Sequence, residues 1–204
     1  MATVLDDVET LQLVVKMPPS VLEMNDDQFF DFCQVNELMR IERTAEGDIL
    51  IMAPAGSESS QRELGFGVQL FNWAKVDGRG VAFGATAGFT LPNGAVRSPD
   101  AAWILKSKLK PFSRAERRKF LHLCPDFVIE IKSPTDRLSQ LKNKMVEYIE
   151  NGAQLGWLLD PDTRRVFVYR PGLAVEVLNH PEAVSGDPEL PRFVLDLKEI
   201  WEPE

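Results

Sequence analysis

Three residues in this sequence have the types and the spacing that hydrolysis of a phosphate ester requires. Asp100 follows a proline, and Glu130 and Lys132 stand two positions apart in an apolar run. Two carboxylates suit a magnesium ion, which prefers carboxylate, water and phosphate oxygens in an octahedral shell. A lysine beside them would orient and help to deprotonate the attacking water, and would offset charge developing on the phosphorus oxygens. As a bare pattern this triplet also arises by chance, so its placement on the fold decides its meaning.

The apolar run from 127 to 132 predicts a short strand, because β-branched and aromatic residues dominate it and Pro125 and Pro134 bound it. Side chains alternate along a strand, so Glu130 and Lys132 point to the same face. Their burial would be costly unless they pair, bind a metal or line a polar cleft. The alternative is an edge strand whose solvated face carries an ion pair.

A second apolar stretch follows Pro99. Residues 100 to 105 are apolar enough to predict a central strand, with Asp100 at its start. If this strand lies next to the strand at 127 to 132, Asp100, Glu130 and Lys132 converge at one place. The two strands would then supply the side chains that a magnesium-dependent hydrolase needs.

Other patterns predict the elements that must support these strands. Asn25 and Gln28 form a capping box that opens a helix to about Gln34, and 38–42 with 48–52 form a hairpin. Further helices are expected from 58 or 59 to 75, over 113–124 behind a second capping box at Ser113 and Glu116, and from 135 or 136 to 151. Strands are expected at 10–16, 81–86, 88–91, 155–159, 166–169 and 175–178, a turn at Asn93-Gly94, and a strand with a short helix in 191–201.

The order of these elements predicts a mixed sheet with helices on its faces, an α/β or α+β sandwich. In the helix ending at residue 75, the spacing of Leu64, Val68 and Phe71, with Leu70 or Ala74, predicts the buried face. In the helix after Lys132, the buried stripe is expected to comprise Leu138, Leu141, Met145, Tyr148 and Ile149.

Composition narrows the classes of function. The 204 residues, 44% hydrophobic and 26% charged, are enough for one domain with a sizeable core. The N-terminus lacks the features of a signal peptide and no apolar run has membrane-spanning length, so we expect a cytoplasmic protein. Two cysteines, interpreted as buried apolar residues, and two histidines leave little material for a metal cluster or a Ser-His-Asp triad. Hydrolytic chemistry would therefore rest on carboxylates.

The charge of the chain is unevenly distributed. The net charge of −8 argues against a protein that coats nucleic acids in general. The segment 106–119 nevertheless carries seven basic residues and one acidic residue, a local net charge of +6 that leaves −14 for the rest. It is either a solvated helix face or a surface for phosphates. As a DNA-contacting surface it would comprise Lys106, Lys108, Lys110, Arg114, Arg117, Arg118 and Lys119.

These motifs resemble a known group of enzymes. Pro99-Asp100 with Glu130-Ile131-Lys132 resembles the PD-(D/E)XK motif of the nuclease superfamily that includes type II restriction enzymes and Holliday-junction resolvases. Four longer segments, 97–103, 124–134, 151–161 and 168–172, resemble in the same order the putative restriction endonuclease family that is multiplied in cyanobacteria. The resemblance covers nearly the whole chain. It implies a restriction-endonuclease-like mixed central sheet flanked by helices, with Asp100 and Glu130 as ligands of Mg²⁺ or Mn²⁺ and Lys132 as catalytic base or stabiliser.

The resemblance also implies accessory residues. An acid on the helix before the core sheet would be a further metal or water ligand, and Glu58 is preferred to Glu63 because it sits in a stretch similar to the Gly-Gly-Glu of relatives. Either acid also fits a role in offsetting the helix dipole. Lys144 and Tyr148, at i and i+4, resemble the Gln-x-x-x-Tyr element of some nucleases, although Tyr148 fits core packing as well. Asp126 is interpreted as a cap or turn residue.

Together these patterns predict one restriction-endonuclease-like domain over 1–204, with residues 1–53 as an N-terminal helix and hairpin extension. The expected function is a metal-dependent endonuclease that hydrolyses DNA phosphodiester bonds. The alternatives are a catalytically silent module of the same fold that binds DNA or protein, and a hydrolase of a small phosphoester. A homodimer is expected by analogy with nucleases that cut both strands, with Trp157, Phe167 and Tyr169 as its apolar surface.

Overall fold

The computed structural model describes residues 13–15 and 24–204. Its helices are α1 (Asp26–Val35), α2 (Ser57–Asp77), α3 (Lys106–Leu109), α4 (Leu138–Glu150) and α5 (Lys198–Trp201). Its first seven strands are β1 (Leu13–Val15), β2 (Arg40–Arg43), β3 (Ile49–Met52), β4 (Gly80–Gly84), β5 (Phe89–Thr90), β6 (Val96–Arg97) and β7 (Ala101–Leu105). The others are β8 (Leu121–His122), β9 (Phe127–Ile131), β10 (Leu155–Asp160), β11 (Arg165–Tyr169), β12 (Glu176–Asn179), β13 (Ala183–Ser185) and β14 (Val194–Asp196).

The central sheet has the strand order β12-β11-β10-β9-β7-β4 and is mixed. β9 and β10 run parallel and are connected through α4, whereas β7 pairs antiparallel with β9. All five residues of β9 are buried, since the strand lies between two neighbours and both of its faces are covered. The edge-strand interpretation of this stretch is therefore wrong.

Helices cover the two faces of this sheet. Phe127 and Ile129 join a core cluster that includes Phe66 of α2, whereas Val128 joins a second cluster that includes Met145 and Tyr148 of α4. The alternation predicted for the strand is confirmed, and the predicted mixed sheet flanked by helices is the observed architecture. Glu130, by its position in the strand, lies on the face that α4 covers.

A second six-stranded sheet, of order β1-β3-β2-β6-β5-β8, adjoins the first. The predicted hairpin of β2 and β3 forms part of it, and Phe29 of α1 packs there against Ile41, Ile49 and Val96. α1 begins with the predicted capping box, in which the Asn25 side chain accepts from the Gln28 backbone. The predicted 10–16 strand lies only partly within the described residues. That residues 1–53 form an extension of a single domain stays a prediction.

Two predicted helical features are wrong. The buried face of α2 comprises Phe66, Leu70 and Ala74, whereas the side chains of Leu64, Val68 and Phe71 are exposed. The capping box of Ser113 and Glu116 forms, but only a single 3₁₀ turn at Glu116–Arg118 follows it. Since that turn is surrounded by charged residues, it offers no apolar stripe that a longer helix would need for tertiary stabilisation.

The late strands do not provide the expected dimer surface. Trp157, Phe167 and Tyr169 are buried in the core of the chain itself. Their aromatic area is therefore used in folding, and any partner must bind elsewhere.

Within the described part, no helix combines the length and the apolar character needed to cross a bilayer.

Candidate active site

The carboxylates of Asp100 and Glu130 lie side by side in the central sheet. Ala101 of β7 pairs with Ile129 of β9, so the residues one position further, Asp100 and Glu130, are opposite each other on the same face. The Asp100 Oδ2 atom accepts a hydrogen bond of 2.9 Å from the backbone N–H of Ile131. Asp100 is 7% exposed and Glu130 is 3% exposed, so both carboxyl groups are held almost out of water.

α4 provides two side chains that contact Glu130. The Lys144 Nζ atom lies 2.8 Å from Glu130 Oε1, and the Tyr148 hydroxyl donates to the same oxygen at 3.0 Å. The spacing of four residues places both on the face of α4 that packs on the sheet. Tyr148 is therefore both a buried core residue and a hydrogen-bond partner of the carboxylate.

β2 adds two charged residues that the sequence patterns did not single out. The Glu42 carboxylate accepts from Lys144 Nζ at 2.9 Å and from the Ser98 backbone N–H at 2.9 Å, and it is 1% exposed. The Arg40 Nη2 atom donates to Asp100 Oδ1 at 3.0 Å. A signal for both was present, because Arg40 and Glu42 stand two positions apart on a strand, the pattern that pointed to Glu130 and Lys132.

Lys132 has a different set of partners from the one expected. Its Nζ atom lies 2.7 Å from Asp162 Oδ2 and 3.1 Å from the Ser133 carbonyl oxygen. It shares the sheet face of Glu130 by alternation, but its long side chain extends to the loop after β10. The lysine that contacts Glu130 in this structure is Lys144.

The two candidate acids on α2 also differ in position. Glu58 is exposed and pairs with Arg62 one turn later, at 3.2 Å. Burial, together with the negative charge of Asp100, raises the pKa of Glu63 to about 6. The structure therefore brings Glu63, and not the preferred Glu58, into electrostatic range of Asp100.

The buried charges set one another's protonation. Burial raises the pKa of Glu130, the neighbouring carboxylates of Asp100 and Glu42 add to this effect, and Lys144 opposes it. Burial acts on Glu42 in the same sense, but Lys144, Arg97 and Arg40 outweigh it and lower the pKa of Glu42. For Lys144, Glu130 and Glu42 outweigh the effect of burial and raise its pKa, so this lysine is held as a cation.

The donor set suits a hard divalent cation. Asp100 and Glu130 offer carboxylate oxygens, and their mutual repulsion, which adds to burial in raising the pKa of Glu130, is what a bound cation would relieve. The described residues contain no group of three or more His, Cys, Asp or Glu side chains arranged to hold a metal. Magnesium does not need one, because one or two carboxylates with waters and substrate phosphate oxygens complete its shell. The two residues therefore fit the metal in its chemistry.

The basic segment 106–119 forms an irregular surface loop with the one-turn helix α3. Lys108 pairs with Asp126 at 2.7 Å, and the other Asp126 oxygen accepts from the Leu105 N–H. Asp126 therefore acts as a turn residue that stabilises the start of this loop. Lys106 donates to a carbonyl oxygen, Arg117 donates to two, and Lys119 pairs with Asp27. In the described part of the chain, Lys110, Arg114 and Arg118 are exposed and make no ion pair.

Comparisons with known proteins identify a family model and a solved structure that this chain matches. The model of a family named Uma2 and described as "Putative restriction endonuclease" matches residues 26–198. A crystal structure of a putative nuclease belonging to DUF820, from Anabaena variabilis ATCC 29413, superimposes with a TM-score of 0.67. It is 24% identical, and the alignment covers 79% of this chain and 89% of that one, a likeness that shows the fold. The comparison with curated proteins gave no match.

Proposed function

This chain belongs to the Uma2 family of putative restriction endonucleases, and from that membership we propose that it is a hydrolase that cleaves DNA phosphodiester bonds with the help of Mg²⁺ or Mn²⁺. The observation that carries the proposal is the pair of buried carboxylates, Asp100 and Glu130, on adjacent strands with a lysine in contact. Buried like charges are costly to fold, and their presence at one place is a frequent mark of a functional site.

In the proposed mechanism Asp100 and Glu130 would hold the metal ion, and Glu63, whose pKa the charge of Asp100 helps to raise, would be the further metal or water ligand. The ion, when bound, lowers the pKa of its water and neutralises charge on the scissile phosphate. Lys144, kept protonated between Glu42 and Glu130, supplies positive charge beside the reacting phosphate. Arg40, which now donates to Asp100, is the second cation available to phosphate oxygens.

Lys132 keeps the role of catalytic base or stabiliser only if its contact with Asp162 breaks when substrate binds. We therefore propose Lys144 as the first candidate for the lysine that stabilises the reacting phosphate, and Lys132 as the second. The seven basic residues of 106–119 belong to the same proposal as the surface that contacts DNA. Lys110, Arg114 and Arg118 are the first candidates, because their side chains make neither an ion pair nor a hydrogen bond in the described structure. A homodimer and a cytoplasmic location remain parts of the proposal.

The experiment is a cleavage assay with a panel of duplex, single-stranded and branched DNA in the presence of magnesium or manganese. Asp100→Asn keeps the shape of the side chain but removes its charge, and should reduce the rate by about 10²- to 10³-fold. The matched control is Asp196→Asn, an exposed carboxylate of β14 that accepts a hydrogen bond from the Lys198 N–H and contacts none of the candidate site residues. Lys144→Ala and Lys132→Ala compare the two lysines. Wild-type protein that cleaves nothing in the panel would refute the proposal.

A catalytically silent module is the second candidate, and one observation favours it. In this structure Arg40 and Lys144 already neutralise Asp100 and Glu130, as cations do in a purely structural network. Isothermal titration with magnesium separates the two functions. An enzyme should bind the ion, and Asp100→Asn should weaken binding sharply, whereas a silent module should show no binding in either protein.

A further inference from the structure

The longest helix of the described chain presents an apolar stripe to solvent. Leu64 is 68% exposed, Val68 is 48% exposed and Phe71 is 51% exposed, although α2 buries Phe66, Leu70 and Ala74 on its opposite face. The stripe residues follow one another at intervals of four and three residues. Lys75, four residues further, lies over the Phe71 ring. This spacing is that of the seam of a coiled coil, in which one helix packs along another.

The stripe is suited to close approach by a second helix. Gly67 lies between Leu64 and Phe71 on the same side of α2, and a Cβ atom added there would meet no atom within 4 Å. A residue without a side chain leaves a depression beside Val68 into which a facing side chain fits. Glycine in a helix interior is otherwise unfavourable by roughly 1 kcal/mol relative to alanine, so its position in the stripe is consistent with a packing role.

We propose that the partner of this stripe is the same stripe of a second copy of the chain, packed in antiparallel orientation. If the two-fold axis passes between residues 67 and 68, Leu64 of each copy faces Phe71 of the other, and Val68 faces Gly67. The stripe is then complementary to itself, which is what an isologous dimer interface requires. Each large side chain meets a partner of the other copy.

The charges at the two ends of α2 select the antiparallel orientation. Glu58, in the first turn, is 71% exposed at its side chain although it pairs with the largely buried Arg62, and Lys75 is exposed near the last turn. Antiparallel packing brings the basic end of each helix to the acidic end of the other and opposes the two helix dipoles. Parallel packing would place lysine against lysine and glutamate against glutamate. The orientation therefore follows from the charges of the helix itself.

The interface is small. A helix of 21 residues is about 30 Å long, and a single helix pair buries less than the roughly 800 Å² per partner of a standard interface. We therefore expect a reversible dimer with a dissociation constant on the order of micromolar. The interface itself does not depend on the proposed function. Its consequence does rest on that function: the dimer would carry two active sites on one pair of α2 helices.

Sedimentation equilibrium of the full chain across the micromolar range, without DNA or metal, tests the interface. Val68→Glu places a charge in the middle of the stripe and should raise the dissociation constant at least tenfold. Val76→Glu is the matched control, because Val76 is 87% exposed on the same helix but lies outside the stripe, and it should leave the dimer unchanged. Circular dichroism verifies that both variants are folded.

Cysteine cross-linking with a short bismaleimide tests the orientation. Gly67→Cys, next to the two-fold axis, should link to itself, and Lys75→Cys should link to Ser60→Cys of another copy but not to itself. Wild-type protein is the control, since burial raises the pKa of Cys33 to about 11 and that of Cys124 to about 12, which slows their reaction. Self-linking of Lys75→Cys would overturn the antiparallel arrangement.

A monomer throughout the range would overturn the proposal, and would indicate that another partner or another segment of the chain covers the stripe. A dimer that Val68→Glu does not weaken would also overturn it. Since these masses are measured without catalysis, failure of the dimer leaves the proposed nuclease activity standing, and an inactive protein that still dimerises leaves the interface standing.

Discussion

The protonation of Glu63, which lies in electrostatic range of Asp100, makes the stability of the protein depend on pH. Burial, assisted by the charge of Asp100, raises its pKa from 4.5 to about 6. Between these pH values the folded protein keeps a proton that the unfolded chain has lost, so this residue lowers the free energy of unfolding as pH rises through that window.

We predict that Glu63→Gln reduces this decline, because glutamine cannot ionise. Urea unfolding at several pH values between 4.5 and 7 measures the effect, and the window follows from the shift of Glu63. The control is Glu58→Gln, the exposed acid of the same helix. If the Glu63→Gln protein loses stability with the same slope as wild type, Glu63 does not titrate as described.

Glu42 holds Lys144 in place. Its carboxylate accepts from Lys144 and from the Ser98 N–H, and lies 3.2 Å from Arg97. Removal of one partner from a buried ion pair leaves an uncompensated charge and typically costs about 3–5 kcal/mol.

We therefore predict that Glu42→Gln lowers the free energy of unfolding by about 3 kcal/mol, measured by chemical denaturation at neutral pH. Glu176→Gln is the control, because Glu176 is 60% exposed and its arginine partner is 3.9 Å away. A loss no larger than that of the control would show that the buried network is not held by Glu42.

The two lysines show what a sequence reveals about single residues. Parity along the strand places Glu130 and Lys132 on one face, because alternation is a property of the backbone. It could not determine which acid the flexible lysine side chain would reach, since Asp162 comes from a loop and Lys144 from a helix 12 residues away in sequence. Tertiary packing made that choice.

At the scale of the elements, two glycines of β4 form a natural comparison. A Cβ at Gly80 would overlap the buried indole ring of Trp103, whereas a Cβ at Gly84 in the same strand would meet no atom within 4 Å. Trp103 is 2% exposed and its ring packs against that of Trp73, so a shift of the indole disturbs the core.

We predict that Gly80→Ala lowers the free energy of unfolding by about 1–3 kcal/mol, the usual cost of overpacking. Gly84→Ala should change it by less than about 0.5 kcal/mol. Thermal or urea unfolding of the two variants measures the difference. Equal stability of both would mean that β4 and β7 adjust without strain.

The wrong prediction of the buried face of α2 has a physical cause. The helix carries two apolar stripes, Leu64, Val68 and Phe71 on one side and Phe66, Leu70 and Ala74 on the other. Periodicity identifies stripes but does not state which one the sheet covers. The boundaries of α2, the hairpin of β2 and β3, and the capping box of α1 were predictable because each depends on local signals.

At the scale of the whole molecule, charge distribution decides how an acidic protein could bind a polyanion. The chain carries −8, but the exposed Lys110, Arg114 and Arg118 have no acidic partner in the described structure. A local positive field steers an anion even when the net charge opposes it. Residues already paired, such as Lys108 with Asp126, would first have to give up their partners.

We predict that the double change Arg114→Ala and Arg118→Ala weakens DNA binding and makes it less dependent on salt. Each phosphate contact contributes about 0.9 to the slope of log affinity against log salt, so two lost contacts should lower that slope by about 2. Fluorescence anisotropy of a labelled duplex over a range of salt concentrations gives the slope, with magnesium omitted so that binding is measured without cleavage.

The matched control removes the same positive charge from another surface. Arg164 pairs with Glu202 outside the basic segment, and Lys198 lies in α5, so Arg164→Ala with Lys198→Ala lowers the net charge equally. If the segment contacts phosphates, the control should keep the wild-type slope, because distant charges on the surface are screened within about 10 Å at 0.1 M salt. Equal losses in both double variants would show that only net charge matters, and would remove segment 106–119 from the DNA interface.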